Sequence, residues 1–252
     1  MNIAFCLYGQ PRLYEEGYAN IKKFVDLNNK HSFDFFFHTW YDEKMVGQYY
    51  TPSLWSNASK DALKIKKNTM NDLLTLFKPK DYVFEEPITF DITPYVNTYM
   101  YSVDTVVNNR NINNIISSLY SRKQVAKLLE NHVNTKNMNY DFIISIRFDF
   151  LNELNFLIED MQKNVINCRN VSPRLFIADN LIITNYELFI KYSSTYSNLL
   201  LIMNNYKSKE YLDHVGCGFQ IVNETLVTAN LKLYYDDLYN VIYFNNKIPN
   251  FC

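Results

Sequence analysis

Arg147 and Asp149 stand two residues apart at the end of the apolar run YDFIISIRFDF, Tyr140 to Phe150. A cation and a carboxylate so placed suit one kind of ligand. Guanidinium groups match phosphate oxygens with paired N–H donors, and an aspartate can hold a Mg²⁺ or Mn²⁺ ion that bridges a diphosphate. Two more polar clusters follow apolar runs earlier in the chain: Gly9-Gln10-Pro11-Arg12 after Asn2 to Tyr8, and His38-Thr39-Trp40 after Phe33 to Phe37. Arg12 adds a second guanidinium, while Tyr8 and Trp40 add aromatic faces on which a base or sugar can stack. The set describes a nucleoside diphosphate site.

These clusters act together only if the chain brings them to one place. A short run rich in Ile and Phe, with no turn residue inside it, suits a strand covered on both faces. In parallel sheets, ligands sit beyond the carboxyl ends of such strands. Strands are expected at Asn2 to Tyr8, Phe33 to His38, Tyr82 to Phe84 and from Asp141, with shorter ones near Leu175 to Ile177 and Leu181 to Ile183. Helical spacing of apolar residues runs from about Glu15 to Leu27, from Ala58 through Ala62, Ile65 and Leu73 to Phe77, and from Ile112 to Val133. Further helices are expected near Glu153 to Asn164 and from Tyr186 to Met203. Alternating strand and helix is the signature of parallel βαβ units, and right-handed crossovers point successive strands the same way. The expected fold is therefore α/β, a mostly parallel central sheet flanked by helices. No internal repeat or linker divides residues 1–252, so one domain is expected, its first 150 residues forming the nucleotide half and the rest the acceptor side.

Composition narrows the classes. The 252 residues, 48% hydrophobic, suffice to bury one large core. Formal charge is −1, with 25 basic against 26 acidic residues, so no overall field draws the chain to nucleic acid or an acidic membrane. Apolar runs such as Phe33 to Phe37 are too short to span a bilayer. The start, MNIAFCLYGQPR, has no basic region before its apolar run and reads as a strand, not a signal peptide. Four separated cysteines form no C-x-x-C pair and suit free thiols in a reducing compartment, which implies a cytoplasmic protein. Five glycines cannot be assembled into G-x-G-x-x-G or G-x-x-x-x-G-K-[ST], which argues against a dinucleotide dehydrogenase and a P-loop NTPase.

Five segments in order, LYGQPR (from Leu7), FFFHTWYDE (from Phe35), LYSRKQVAKLL (from Leu119), YDFIISIRFDF and ADNLIITNYELFIKYSSTY (from Ala178), resemble nucleotide-sugar-dependent glycosyltransferases of the GT-A type, found in bacterial glycan gene clusters and large DNA viruses. The resemblance covers Ile3 to Tyr196. It implies a GT-A-like, Rossmann-like fold, transfer of a sugar from a nucleoside diphosphate sugar to a glycan or other hydroxyl acceptor, and dependence on Mn²⁺ or Mg²⁺. In that family a D-x-D motif at a strand end carries the metal. Asp149 then fills the place of the second Asp, and Arg147 stands where the first would be. The resemblance further implies that Gln10 and Arg12 border the nucleotide, that Tyr120, Ser121 and Lys123 lie near it, and that Asp179 and Asn180 face the acceptor. Asp179 is the candidate base for the acceptor hydroxyl, since an inverting transferase needs one.

Each residue also has a plainer role. Asp149 equally fits a helix cap or a solvated strand end, and Arg147 an ion-pair partner. His38 fits a core imidazole, Trp40 a packing residue, and Asp179 a turn before Asn180. His214 with Cys217 lacks the other ligands zinc needs, and Tyr234-Tyr-Asp-Asp-Leu lacks a basic template channel beside it. Nucleotidyl transfer, sugar-nucleotide hydrolysis and noncatalytic sugar or nucleotide binding need a similar pocket, and the base, the sugar, the acceptor and the oligomeric state are not legible.

Overall fold

Residue 3 faces one way and residue 4 the other, and both are buried. The first strand sends Ile3, Phe5 and Leu7 into one core cluster and Ala4, Cys6 and Tyr8 into another, as the two-residue period of a strand requires. In this computed structural model, residues 1–50, 59, 61–96, 109–169, 181–205 and 241–244 are described. Among them the chain runs β1 (Asn2–Gly9), α1 (Tyr14–Leu27), β2 (Ser32–Trp40), α2 (Thr69–Phe77), β3 (Asp81–Glu85), α3 (Thr93–Val96), α4 (Asn109–Lys136), β4 (Phe142–Arg147), β5 (Ile166–Arg169), β6 (Leu181–Thr184), α5 (Tyr186–Ser193), α6 (Thr195–Asn205) and β7 (Val241–Phe244).

The described strands form one seven-stranded sheet in the order β3-β2-β1-β4-β6-β5-β7. Neighbours among β3, β2, β1 and β4 are parallel, as are β5 and β7, while β6 runs antiparallel to β4 and β5. The expected mostly parallel sheet flanked by helices is present. Tyr14, Ile21 and Phe24 of α1 with Leu73 and Phe77 of α2 cover one face. Val125, Ala126 and Leu129 of α4 with Phe189 of α5 cover the other. The chain leaves β1 toward β2 and β3, then returns to β4 on the opposite side of β1. Strand order reverses there, which is where open α/β sheets bind ligands. Tyr8 is in register with both His38 and Arg147, so the three polar clusters lie level along one rim.

Several expected elements differ. The helix expected from Ala58 begins only at Thr69: Asp61–Leu63 form a 3₁₀ turn, and the chain from Leu63 to Ile65 is hydrogen-bonded to the segment before it. Tyr50 N–H donates to Leu63 O (2.9 Å), and Ile65 N–H donates to Gln48 O (2.8 Å). The helix expected over Glu153 to Asn164 is absent; one 3₁₀ turn, Ile158–Asp160, stands in that span. Leu154 and Ile158 are buried and Phe156 is partly so, with exposed residues between them, an alternation that fits an extended chain. Asn28 fixes that chain to α1 by accepting from Ile158 N–H (2.9 Å) and donating to Phe156 O (3.2 Å). The single helix expected from Tyr186 to Met203 is two, broken at Ser194, where the Ser194 and Thr195 hydroxyls donate back to the Lys191 and Tyr192 carbonyls (both 2.6 Å). Strand β5 had no clear signal in the sequence. The strand expected near Leu175, together with Asp179, Asn180, His214, Cys217 and Tyr234 to Leu238, lies outside the described residues.

Candidate functional site

Gly9 ends β1 with φ +97°, a conformation that disfavours any side chain and turns the chain toward Arg12. Both polar groups of Gly9 are held: its N–H donates to Ser121 Oγ of α4 (2.8 Å) and its carbonyl accepts from Thr39 Oγ1 of β2 (3.0 Å). The turn that carries Gln10 and Arg12 is thus anchored to two other elements. Gln10 itself is partly buried.

Arg12 reaches across to the end of β4. Its Nε donates to Asp149 Oδ2 (2.5 Å), and Arg147 grips the same carboxylate from two residues away, Nε to Oδ1 (2.9 Å) and Nη2 to Oδ2 (2.8 Å). The side chains of Arg147, Arg12 and Asp149 are 22%, 10% and 7% exposed. Burial pushes the Asp149 carboxyl up, but the charges of Arg147 and Arg12 and their hydrogen bonds outweigh it and hold the group below the usual carboxylate range. Burial also lowers the Arg12 guanidinium, partly offset by Asp149, though an arginine stays charged. Two guanidinium groups thus converge on the one Asp149 carboxylate.

Whether these residues fit a divalent ion can be judged from the donors. Both oxygens of Asp149 already accept from guanidinium groups, and an ion there would stand beside two fixed positive charges. Among the described residues no group of three or more His, Cys, Asp or Glu gathers to hold a metal. This donor set, as arranged, does not fit Mg²⁺ or Mn²⁺.

A second cluster lies at the ends of β2 and β3. His38, fully buried, places Nε2 2.7 Å from Glu85 Oε2 and Nδ1 2.8 Å from Ser121 Oγ. The carboxylate can only accept, which assigns the ring proton to Nε2 and lets Nδ1 accept from the Ser121 hydroxyl. Burial lowers the His38 pKa, with the Glu85 bond opposing it, so the ring is neutral at neutral pH. Tyr120 OH also donates to Glu85 (3.0 Å), and burial, followed by that bond, pushes its hydroxyl up to about 12. Trp40 stacks on Tyr120 with centroids 5.4 Å apart, and Phe90 and Tyr196 lie 5.5 and 5.3 Å from the same ring. Lys123 Nζ sits 5.3 Å from the Tyr196 centroid, and burial, then nearby Lys127, lowers its pKa.

The structure therefore brings Arg12, Arg147 and Asp149 into direct contact and gathers His38, Trp40, Tyr120, Ser121 and Lys123 a short way along the rim. It does not give all of them an open face. Tyr8, 1% exposed, packs in the core under α4, Ser121 and His38 are sealed beneath the surface, and Trp40 is 3% exposed with Tyr120 across its ring. These four shape the site from below. Its indole N–H leaves Trp40 without an acceptor among the described residues. Glu85, Phe90 and Tyr196 carry this second cluster without having been singled out in the sequence: a lone glutamate at a strand end gives no signal until register sets it beside His38. No protein-family model and no curated protein matches the chain.

Proposed function

We propose that the chain is a GT-A-type glycosyltransferase that moves a sugar from a nucleoside diphosphate sugar onto a hydroxyl of a glycan or similar acceptor. One observation carries this reading: two guanidinium groups and one carboxylate, drawn from positions 12, 147 and 149, meet beyond the carboxyl ends of β1 and β4, where strand order reverses. A mostly parallel sheet flanked by helices is an architecture that can present such a site at its strand ends. In the reaction the acceptor oxygen bonds to the anomeric carbon, the bond from that carbon to the diphosphate oxygen breaks, and nucleoside diphosphate departs with the electron pair. Arg12 and Arg147 stabilise the charge that develops on it, an effect of several kcal/mol when donors are already in place. The acceptor proton passes to a base, for which Asp179 is the candidate, unless the anomeric configuration is retained. The aromatic groups Tyr120, Phe90 and Tyr196 offer the base or sugar a wall to lie against.

A cytoplasmic setting accompanies the proposal, on the wide spacing of the four cysteines, which form no C-x-x-C pair. No helix among the described residues is long and apolar enough to cross a membrane. The test is turnover across a panel of nucleoside diphosphate sugars and glycan acceptors. Release of nucleoside diphosphate, abolished in Asp149→Ala because both arginines lose their anchor, is the expected result. Release of nucleoside monophosphate or pyrophosphate instead identifies a hydrolase or nucleotidyltransferase, and binding without turnover identifies a noncatalytic module.

A further inference from the structure

We propose that this chain neutralises the diphosphate with the guanidinium groups of Arg12 and Arg147, braced on Asp149, with no divalent cation between protein and phosphate. The inference rests on the reading that the ligand is a nucleoside diphosphate.

Three features support it. Asp149 accepts three charge-assisted hydrogen bonds, one from Arg12 Nε and two from Arg147, and these occupy both of its oxygens. A cation coordinated there must break them and then lie beside two like charges. Next, exposure rises from Asp149 (7%) through Arg12 (10%) to Arg147 (22%). Arg147 is thus the member of the triad that solvent reaches most readily. Finally, an arginine fork carries five N–H donors in one plane and pairs with phosphate oxygens in a fixed geometry. Asp149 holds the Arg147 fork through Nε and Nη2 together, so its plane is set before a ligand arrives. Asp149 is accordingly a positioning residue, and Arg12 and Arg147 are the groups that touch the phosphates.

The two roles for Asp149 predict opposite outcomes when its charge is removed. A metal carboxylate changed to asparagine loses ligand binding; a brace changed to asparagine removes a negative charge from beside the diphosphate and leaves a side-chain oxygen to hold the arginines. Uridine, guanosine, cytidine and adenosine diphosphates are titrated into the full chain by calorimetry and followed by thermal shift, once with EDTA and once with Mn²⁺. At least one diphosphate is expected to bind with EDTA present, and Mn²⁺ should change its affinity by less than about threefold, against the far larger linkage of an obligatory metal. In EDTA, Asp149→Asn should bind at least as tightly as the unaltered chain. Arg12→Gln and Arg147→Gln should each weaken binding about tenfold or more, the size of a lost charge-assisted bond, with partial rescue in Arg147→Lys.

Binding that appears only with Mn²⁺ overturns the inference and leaves the diphosphate-site reading standing, as does loss of binding in a folded Asp149→Asn. No binding of any diphosphate in either buffer overturns the diphosphate reading itself. Should Asp149→Asn fail to fold, the EDTA and Mn²⁺ comparison on the unaltered chain decides.

Discussion

A carboxylate that accepts from two guanidinium groups has little left to offer a metal and much to offer the arginines, which would otherwise repel each other at close range. Asp149 resolves that repulsion by lying between them. Its neighbourhood is sensitive to a residue with no side chain. Gly17 lies inside α1, where alanine ordinarily gains about 1 kcal/mol over glycine. Here a Cβ would overlap the Phe148 carbonyl oxygen, so α1 or the backbone next to Asp149 has to shift. Gly17→Ala is expected to cost about 1–3 kcal/mol by overpacking. A fall of several degrees in Tm, with weaker diphosphate binding, is the expected measurement. An unchanged or raised Tm would show that this close approach is not a constraint.

At the scale of elements, His38 ties β2 to β3 through Glu85 and to α4 through Ser121, so its charge state bears on how three elements meet. Burial lowers its pKa from the ordinary 6.5. Between that lowered value and 6.5 the unfolded chain binds the proton that the folded chain refuses, so stability falls as pH drops through 6.5 and the loss ends once the folded-state pKa is passed. Urea unfolding at pH 7.5, 6.5 and 5.5 should show this decline in the unaltered chain. His38→Gln, less stable overall, should lack that part of the slope, and equal slopes in both proteins would count against it. The same scale shows where pattern reading went astray. Ala62 with Ile65, and Leu154 with Ile158, keep apolar spacings that a helix also permits, but the partners Gln48, Tyr50 and Asn28 hold the chain there, with only the 3₁₀ turns Asp61–Leu63 and Ile158–Asp160. By contrast α1, α4 and β4 were readable because their patterns persist over many residues or end in sharp polar breaks.

At the scale of the whole molecule the described residues form a sheet with two buried faces, and stability should be most exposed at a large side chain in the middle of one of them. Phe5 is fully buried at the centre of β1, edge-on to Phe24 and stacked on Phe35 at 5.1 Å. Phe5→Ala removes that packing and leaves a cavity, at a cost of about 3–5 kcal/mol. Denaturant midpoints measured by fluorescence and far-ultraviolet circular dichroism should both fall, and coincide. A loss under about 1 kcal/mol would mean that the α1 face collapses to fill the space.

The sequence by itself determined the class of fold, the strand that ends at Arg147 and the chemical character of the rim, because each follows from local periodicity and from which residue types interrupt it. Convergence of the clusters was also inferable, since parallel connections leave few ways to order β1, β2 and β4. Tertiary structure alone decided which polar groups meet. Arg12 and Asp149 are 137 residues apart, and whether an aspartate binds a metal or braces two arginines depends on which charges lie within about 4 Å, a distance that sequence separation does not encode.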